Sequence, residues 1–231
     1  MRQILIVMAK APRFGRVKTR LAAGVGPLEA WRFYRNSLNA LLCRLGRDRR
    51  WQLILAVTPD DFSGGRAFWP RHGARRAQGR GDLGQRMRNA LLAAGRSGDR
   101  VVLIGGDIPG VEAGHIDNAF RALARRSMVV GPAGDGGFWL IGIRREGKGP
   151  GDGGLAGAFD GIRWSQPDVL QRLLENTRHR PPVLTDCLQD VDEVADLWYV
   201  RENGLYPRPC SCSRRRGSNS TKLQGRSRIS S

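Results

Sequence analysis

The stretch VVLIGGDIP, residues 101–109, decides how the chain is read. Val101 to Ile104 form an unbroken apolar run, the pattern of a strand covered on both faces of a sheet. Gly105 and Gly106 let the backbone turn with no side chain in the way, and Pro109 stops the strand. Asp107 is left at the strand's carboxyl end, the edge at which open α/β sheets bind ligands. A carboxylate there suits Mg²⁺ or Mn²⁺ bridging to a phosphate. The same residue could equally close an Asx turn or cap the next helix.

The pattern repeats on both sides. Residues 3–8 (QILIVM), 51–57 (WQLILAV), 128–132 and 138–143 are further strands, and Val183-Leu184 is strand-like. From Pro27 to Leu45, Leu28, Trp31, Tyr34, Leu38, Leu41 and Leu45 recur at helical spacing, and Gly46 is expected to end that helix. Residues 83–94 and 112–126 are two more helices. Ser165-Gln-Pro-Asp168 is expected to open another that runs to Thr177. A last helix follows Asp190-Val191-Asp192-Glu193 and stops at Gly204. Residues 61–77 are an Arg- and Gly-rich loop with one short strand, and the Gly-rich connection 144–157 is a candidate lid. Strand and helix alternating at short spacing predict an α/β fold in three layers, a mostly parallel sheet between helices.

At 231 residues the chain has room for one sizeable domain, placed at 1–207, with a basic tail, 208–231, expected to be disordered. No apolar run approaches the roughly 18 residues of a membrane span, and the run Ile4–Met8 is too short for a signal-peptide core, so a cytoplasmic address is expected. The four cysteines lack zinc spacing. The net charge is +18, but seven of those charges lie in 208–231, which leaves +11 for residues 1–207. Those arginines are scattered, and no RNA-binding, helix-turn-helix or zinc-finger signature accompanies them. The charge favours anionic substrates and weak, salt-sensitive binding to nucleic acid or acidic lipid without naming a partner; a basic nucleic-acid-binding protein is the rival class.

Four loops could hold chemistry. Residues 9–21, AKAPRFGRVKTRL, surround a Pro12/Gly15 turn with Lys10, Arg13, Arg16, Lys18 and Arg20, which suits a di- or triphosphate as well as a solvated basic loop. The GxxxxGK[ST] frame of a Walker loop is absent. Residues 78–87, QGRGDLGQRM, satisfy GxGxxG through Gly79, Gly81 and Gly84, but no convincing first strand precedes them. Their glycines are better suited to close approach of a base or ribose. The third loop is that of Asp107. The fourth is 131–139, GPAGDGGFW, where Asp135-Gly136-Gly137 is either a substrate-approach loop or a plain hairpin turn.

Taken in order, AKAPxxGxVKTRL, QGxGDLGxRM, GGDIPG, GPAxDGGFWLIG and DVDExxDL resemble the DUF2064 family over about residues 3–205. This is a branch of the GT-A superfamily related to 2-phospho-lactate guanylyltransferase and to the molybdenum-cofactor nucleotidyltransferases. The resemblance implies a GT-A fold, Rossmann-like and of the nucleotide-diphospho-sugar transferase type. It also implies a Mg²⁺ or Mn²⁺ cofactor, a nucleotide or nucleotide-sugar donor and a small-molecule acceptor. Pro12, Gly15, Lys18 and Arg20 fall in its phosphate loop, and Gln78, Gly79, Gly81 and Asp82 in the segment facing base and ribose. Asp107 matches the metal-binding acid, and Asp135, Gly136 and Gly137 the acceptor-side loop. Asp190 and Asp192 match an acidic element that divides between helix capping and a second metal contact. The catalytic set is Asp107, Lys18 and Asp135. Glycosyl transfer is the first expectation and nucleotidyl transfer the alternative. The single acid at 107, where many GT-A glycosyltransferases have DxD, loosens the glycosyl assignment, and Trp139, where relatives more often have a smaller residue, points to an unusual acceptor.

Overall fold

A computed structural model describes residues 1–62, 69, 73–146 and 154–207. The predicted tail and half of the candidate lid, residues 147–153, lie outside the described residues. In chain order the elements are β1 (Gln3–Lys10), α1 (Thr19–Val25), α2 (Pro27–Gly46), β2 (Gln52–Thr58), β3 (Ala74–Ala77), α3 (Leu83–Ala94), β4 (Arg100–Gly105), α4 (Ala113–Arg125), β5 (Met128–Pro132), β6 (Phe138–Arg144), α5 (Val169–Asn176), β7 (Val183–Leu184) and α6 (Val194–Glu202).

The seven strands form one sheet in the order β3-β2-β1-β4-β6-β5-β7. All neighbours are parallel except those of β6, which runs antiparallel to both β4 and β5. Alternation along the strands splits the core into two layers. Leu5, Val7 and Ala9 face α2 and α4 with Leu38, Leu41 and Phe120, while Ile4, Ile6 and Met8 face α3 and α5 with Leu91 and Leu173. Burying such a side chain fully contributes about 2 kcal/mol, so both faces of β1 must stay covered. A third cluster joins Leu21 of α1, Ala30 and Phe33 of α2, and Val191, Leu197 and Val200 at α6.

Three helical features differ from expectation. Residues 19–25 are a separate helix, divided from α2 by Gly26 at φ 85°, a conformation glycine adopts without strain, with Pro27 at the first position of α2. Seven residues with one buried position, Leu21, are too few to show a helical period in the sequence. Ser165 does not cap α5, because its backbone is left-handed, at φ 64°, whereas an N-cap residue needs an extended one. The helix starts at Val169, and Gly46 is the last residue of α2 rather than its cap.

Below the sheet, the carboxylate of Asp99, 4% exposed, joins the chain's start to the entry of β4. It accepts from the backbone N–H and the guanidinium of Arg2 and from the backbone N–H of Arg96. Burial alone would raise its pKa, but these donors outweigh burial and hold it at about 2. Because the folded value lies below an unfolded value of about 3.9, the stabilisation is complete above that value and disappears as pH falls through 2. Asp99→Asn should lose about 2 kcal/mol in urea unfolding at pH 7, the half-exposed Arg2 moderating the figure. At pH 2 the variant and wild type should converge. An unchanged midpoint at pH 7 would refute the role.

Candidate active site

From β1 the chain goes out through β2 and β3 and then returns to place β4 on the other side of β1. The carboxyl ends of β1 and β4 therefore open a crevice at the reversal point, where such sheets receive ligands. A cleft of about 640 Å³ lies there. Its floor is the strand edge, from Met8 to Lys10 and from Gly105 to Asp107. Gly106 passes so close over β1 that an added Cβ would lie 3.1 Å from the Met8 carbonyl and from Leu38. Tyr34 of α2 fixes the rim, its hydroxyl accepting from the Lys10 N–H and donating to the Lys10 carbonyl. Burial, reinforced by nearby Asp107, pushes the phenol's pKa up, so it stays neutral.

Lys18 is the centre of the site. Its ammonium lies 3.1 Å from Oδ2 of Asp107 and 2.7 Å from Oδ1 of Asp192. The Lys18 side chain is 6% exposed, and its backbone, at φ 48° and ψ 50°, is left-handed where the chain enters α1. Burial alone would lower its pKa, but Asp107 and then Asp192 reverse that and raise it. Lys18 in turn holds Asp107 below the usual carboxylate range. Arg20 pairs with the other oxygen of Asp192. Lys18 and Ser165 are the two non-glycine residues with positive φ among the described residues, and both line this cleft. Such conformations persist only where the surroundings fix them.

The segment before α6 delivers Asp192. Residues 186–188 run along the β5–β6 hairpin: the Asp186 carbonyl accepts from the Trp139 indole, Gly134 N–H donates to Leu188 C=O, and Leu188 N–H donates to Pro132 C=O. Asp196 accepts the N–H groups of Asp192 and Glu193, and the cap of α6 is the box that Glu193 and Asp196 form, which leaves the Asp192 carboxylate to the lysine. Asp190 is raised to about 6, first by burial and then by repulsion from Asp192, Asp107 and Asp135. Among the described residues no cluster of three or more His, Cys, Asp or Glu has metal-binding geometry. Asp107 and Asp192 form a pair, which suits a cation that completes its shell from water and substrate phosphate.

The other expected residues are distributed unevenly. Arg20 and Gln78 line the cleft with Lys18 and Asp107; Pro12, Gly15, Gly79, Gly81, Asp82 and Asp135 do not. The Pro12 carbonyl accepts from the Trp31 indole, and Gly15 takes the turn at φ 70°. Gln78 is buried and committed to the protein: its amide donates to the carbonyls of Ala9 and Ala56, and its oxygen accepts from Arg86. Gly79 donates to Asp60, while Asp82 caps α3 in a capping box with Gln85. Asp135 is exposed and accepts the Gly137 N–H, an Asx turn. Gly136, at φ 85°, lies against Pro167, whose carbonyl would be 2.0 Å from an added Cβ. Sequence reading missed the Trp164 wall of the cleft. Trp164 packs edge-on to Phe138 and Phe159 and sits over Gly84, where a Cβ would meet its ring at 2.5 Å. The signal was the third glycine of GxGxxG.

Residues 41–166 match the family described as "Uncharacterized protein conserved in bacteria (DUF2064)". No match was found among curated proteins. A crystal structure from Desulfovibrio desulfuricans G20, assigned as a nucleotide-diphospho-sugar transferase, is 34% identical over 88% of each chain, with a TM-score of 0.77. The manganese complex of Rv0371C from Mycobacterium tuberculosis H37Rv is 18% identical over 87% of this chain and 99% of that one, TM-score 0.52. The 4-diphosphocytidyl-2C-methyl-D-erythritol synthase of Anaerococcus prevotii DSM 20548 is 12% identical over 87% and 97%, TM-score 0.54. The fold is that of the nucleotide-diphospho-sugar transferases.

Gln78 ties the ends of β1 and β2 together, so Gln78→Ala should lower stability by about 2–3 kcal/mol in chemical unfolding without ligand, since two buried carbonyls lose donors. A side chain whose sole role was to touch a nucleotide would leave that stability unchanged.

Proposed function

The chain belongs to the DUF2064 family, and we propose that it is a divalent-metal-dependent transferase acting with a nucleotide-activated donor. In the first reading the donor is a nucleotide sugar and the acceptor a small molecule. The observation that supports this is the meeting of Lys18 with Asp107 and Asp192 at the β1/β4 crevice. A fixed ammonium and two carboxylates at that edge suit a diphosphate and its cation. The 34%-identical relative assigned as a nucleotide-diphospho-sugar transferase agrees with it.

Asp107 and Asp192 would hold Mg²⁺ or Mn²⁺, which when bound neutralises charge on the departing phosphate. Lys18, at the end of the loop that Pro12 and Gly15 turn, and Arg20, in the first turn of α1, bind donor phosphate oxygens. Gln78 keeps the ends of β1 and β2 in place beneath the nucleotide, with Gly79, Gly81 and Asp82 bordering the base side. Asp135, on the loop with Gly136 and Gly137, orients the acceptor hydroxyl or takes its proton.

Nucleotidyl transfer is the second reading. It is favoured by the lone acid at 107 and by a lysine and an arginine on the loop after β1, which suit a triphosphate that releases pyrophosphate.

Incubation with nucleoside triphosphates or nucleotide sugars, Mn²⁺ and hydroxyl acceptors should release nucleoside diphosphate for glycosyl transfer and pyrophosphate for nucleotidyl transfer. Asp107→Asn should cut turnover by about 10³-fold and Asp135→Asn by about 10²-fold. Near-normal turnover in Asp135→Asn would reassign that residue to the turn it makes with Gly137. Salt-sensitive nucleic-acid binding with no stabilisation by any nucleotide would replace the transferase reading altogether.

A further inference from the structure

We infer that in the free protein the Lys18 ammonium occupies the place of the divalent cation, so the crevice accepts metal only together with the donor's phosphates. This rests on the metal-dependent reading of the same crevice. Asp107 and Asp192 reach it from opposite parts of the chain, and both point an oxygen at one nitrogen, at 3.1 and 2.7 Å. A cation between those oxygens would be ligated by both, and the position is taken by a side chain that is 6% exposed.

An ammonium and a divalent ion cannot share that point, because their repulsion in a partly desolvated site far exceeds what either gains. Nor can Lys18 simply withdraw: with the metal on both carboxylates, the displaced ammonium would be left in the crevice with no counter-charge. Phosphate oxygens remove the conflict. They give the ammonium new acceptors within reach of its flexible four-carbon stem, so the tip moves while the backbone stays. They also supply the oxygens that a pair of carboxylates lacks, since no third ligand joins them among the described residues. Lys18 is thus a positioning residue as well as a phosphate ligand: it couples uptake of metal to uptake of nucleotide. By linkage each must raise the other's affinity by the same factor.

The test is Mn²⁺ binding to the full chain without nucleotide, read by the electron paramagnetic resonance of free Mn²⁺. Lys18→Met should bind Mn²⁺ at least tenfold more tightly than wild type, whereas Lys18→Arg, which keeps a cation there, should bind as weakly as wild type. The gain should vanish in Lys18→Met/Asp192→Asn. Equal or weaker binding by Lys18→Met, or a gain that survives loss of Asp192, would overturn the inference. Should Lys18→Met fold poorly, thermal unfolding gives a second measure: its midpoint should rise with Mn²⁺ by more than that of wild type, and an equal or smaller rise counts against the inference. No donor, acceptor or turnover enters these measurements. A protein inactive with every donor would therefore sink the transferase reading and leave this comparison standing.

Discussion

A buried ammonium that two carboxylates must neutralise is the constraint to which the rest of the molecule answers. Lys18 comes from the loop after β1, Asp107 from the loop after β4 and Asp192 from the approach to α6. Removing one partner would strand a charge in a poorly solvated place, a far larger penalty than any surface ion pair could offset. The three segments are therefore fixed relative to one another. The surroundings yield to that requirement: Lys18 accepts a left-handed backbone, Gly106 gives up a side chain and Asp196 relieves Asp192 of capping.

The opposite wall is built by steric means. Trp164 occupies the space that Gly84 leaves, and Phe138 and Phe159 meet it edge-on or nearly so. Ser165, next to it, adopts a conformation that a serine takes only when neighbours leave no other. Polar constraint from one set of residues and aromatic packing from another give a cleft whose lining has two different chemistries.

Much of the architecture was legible because buried strands and amphipathic helices leave strong periods. The runs at 3–8, 51–57 and 101–105 became β1, β2 and β4 within a residue or two. What stayed hidden had no local signal. The reversed strand β6 between β4 and β5 is set by long-range pairing, and α1 is too short to repeat. For the site, Lys18 and Asp107 were both singled out, and the structure brings them into contact. Asp192 was visible as an acid before a helix, but its freedom from capping depends on Asp196 four residues on. The glycines at 79 and 81 and the acid at 82 read as ligand contacts, and turn chemistry draws on the same residues as phosphate-loop chemistry. In the fold they form a turn and a cap. Arg86 gave no warning, since an arginine in a first helical turn is an ordinary sight, and Trp164 left its only trace in Gly84, the glycine over which it packs.

The third core cluster, which unites α1 and α2 with α6, bears on the chain's biosynthesis. Leu21 and Phe33 leave the ribosome well over a hundred residues ahead of Val191, Leu197 and Val200, which cover them. Until then α1 and α2 present a greasy flank to water or to a chaperone, and Lys18 waits for half of its neutralising charge. The cluster thus closes in one step, when α6 docks, and a nascent chain that stalls before it is recognisable by the surface it cannot hide.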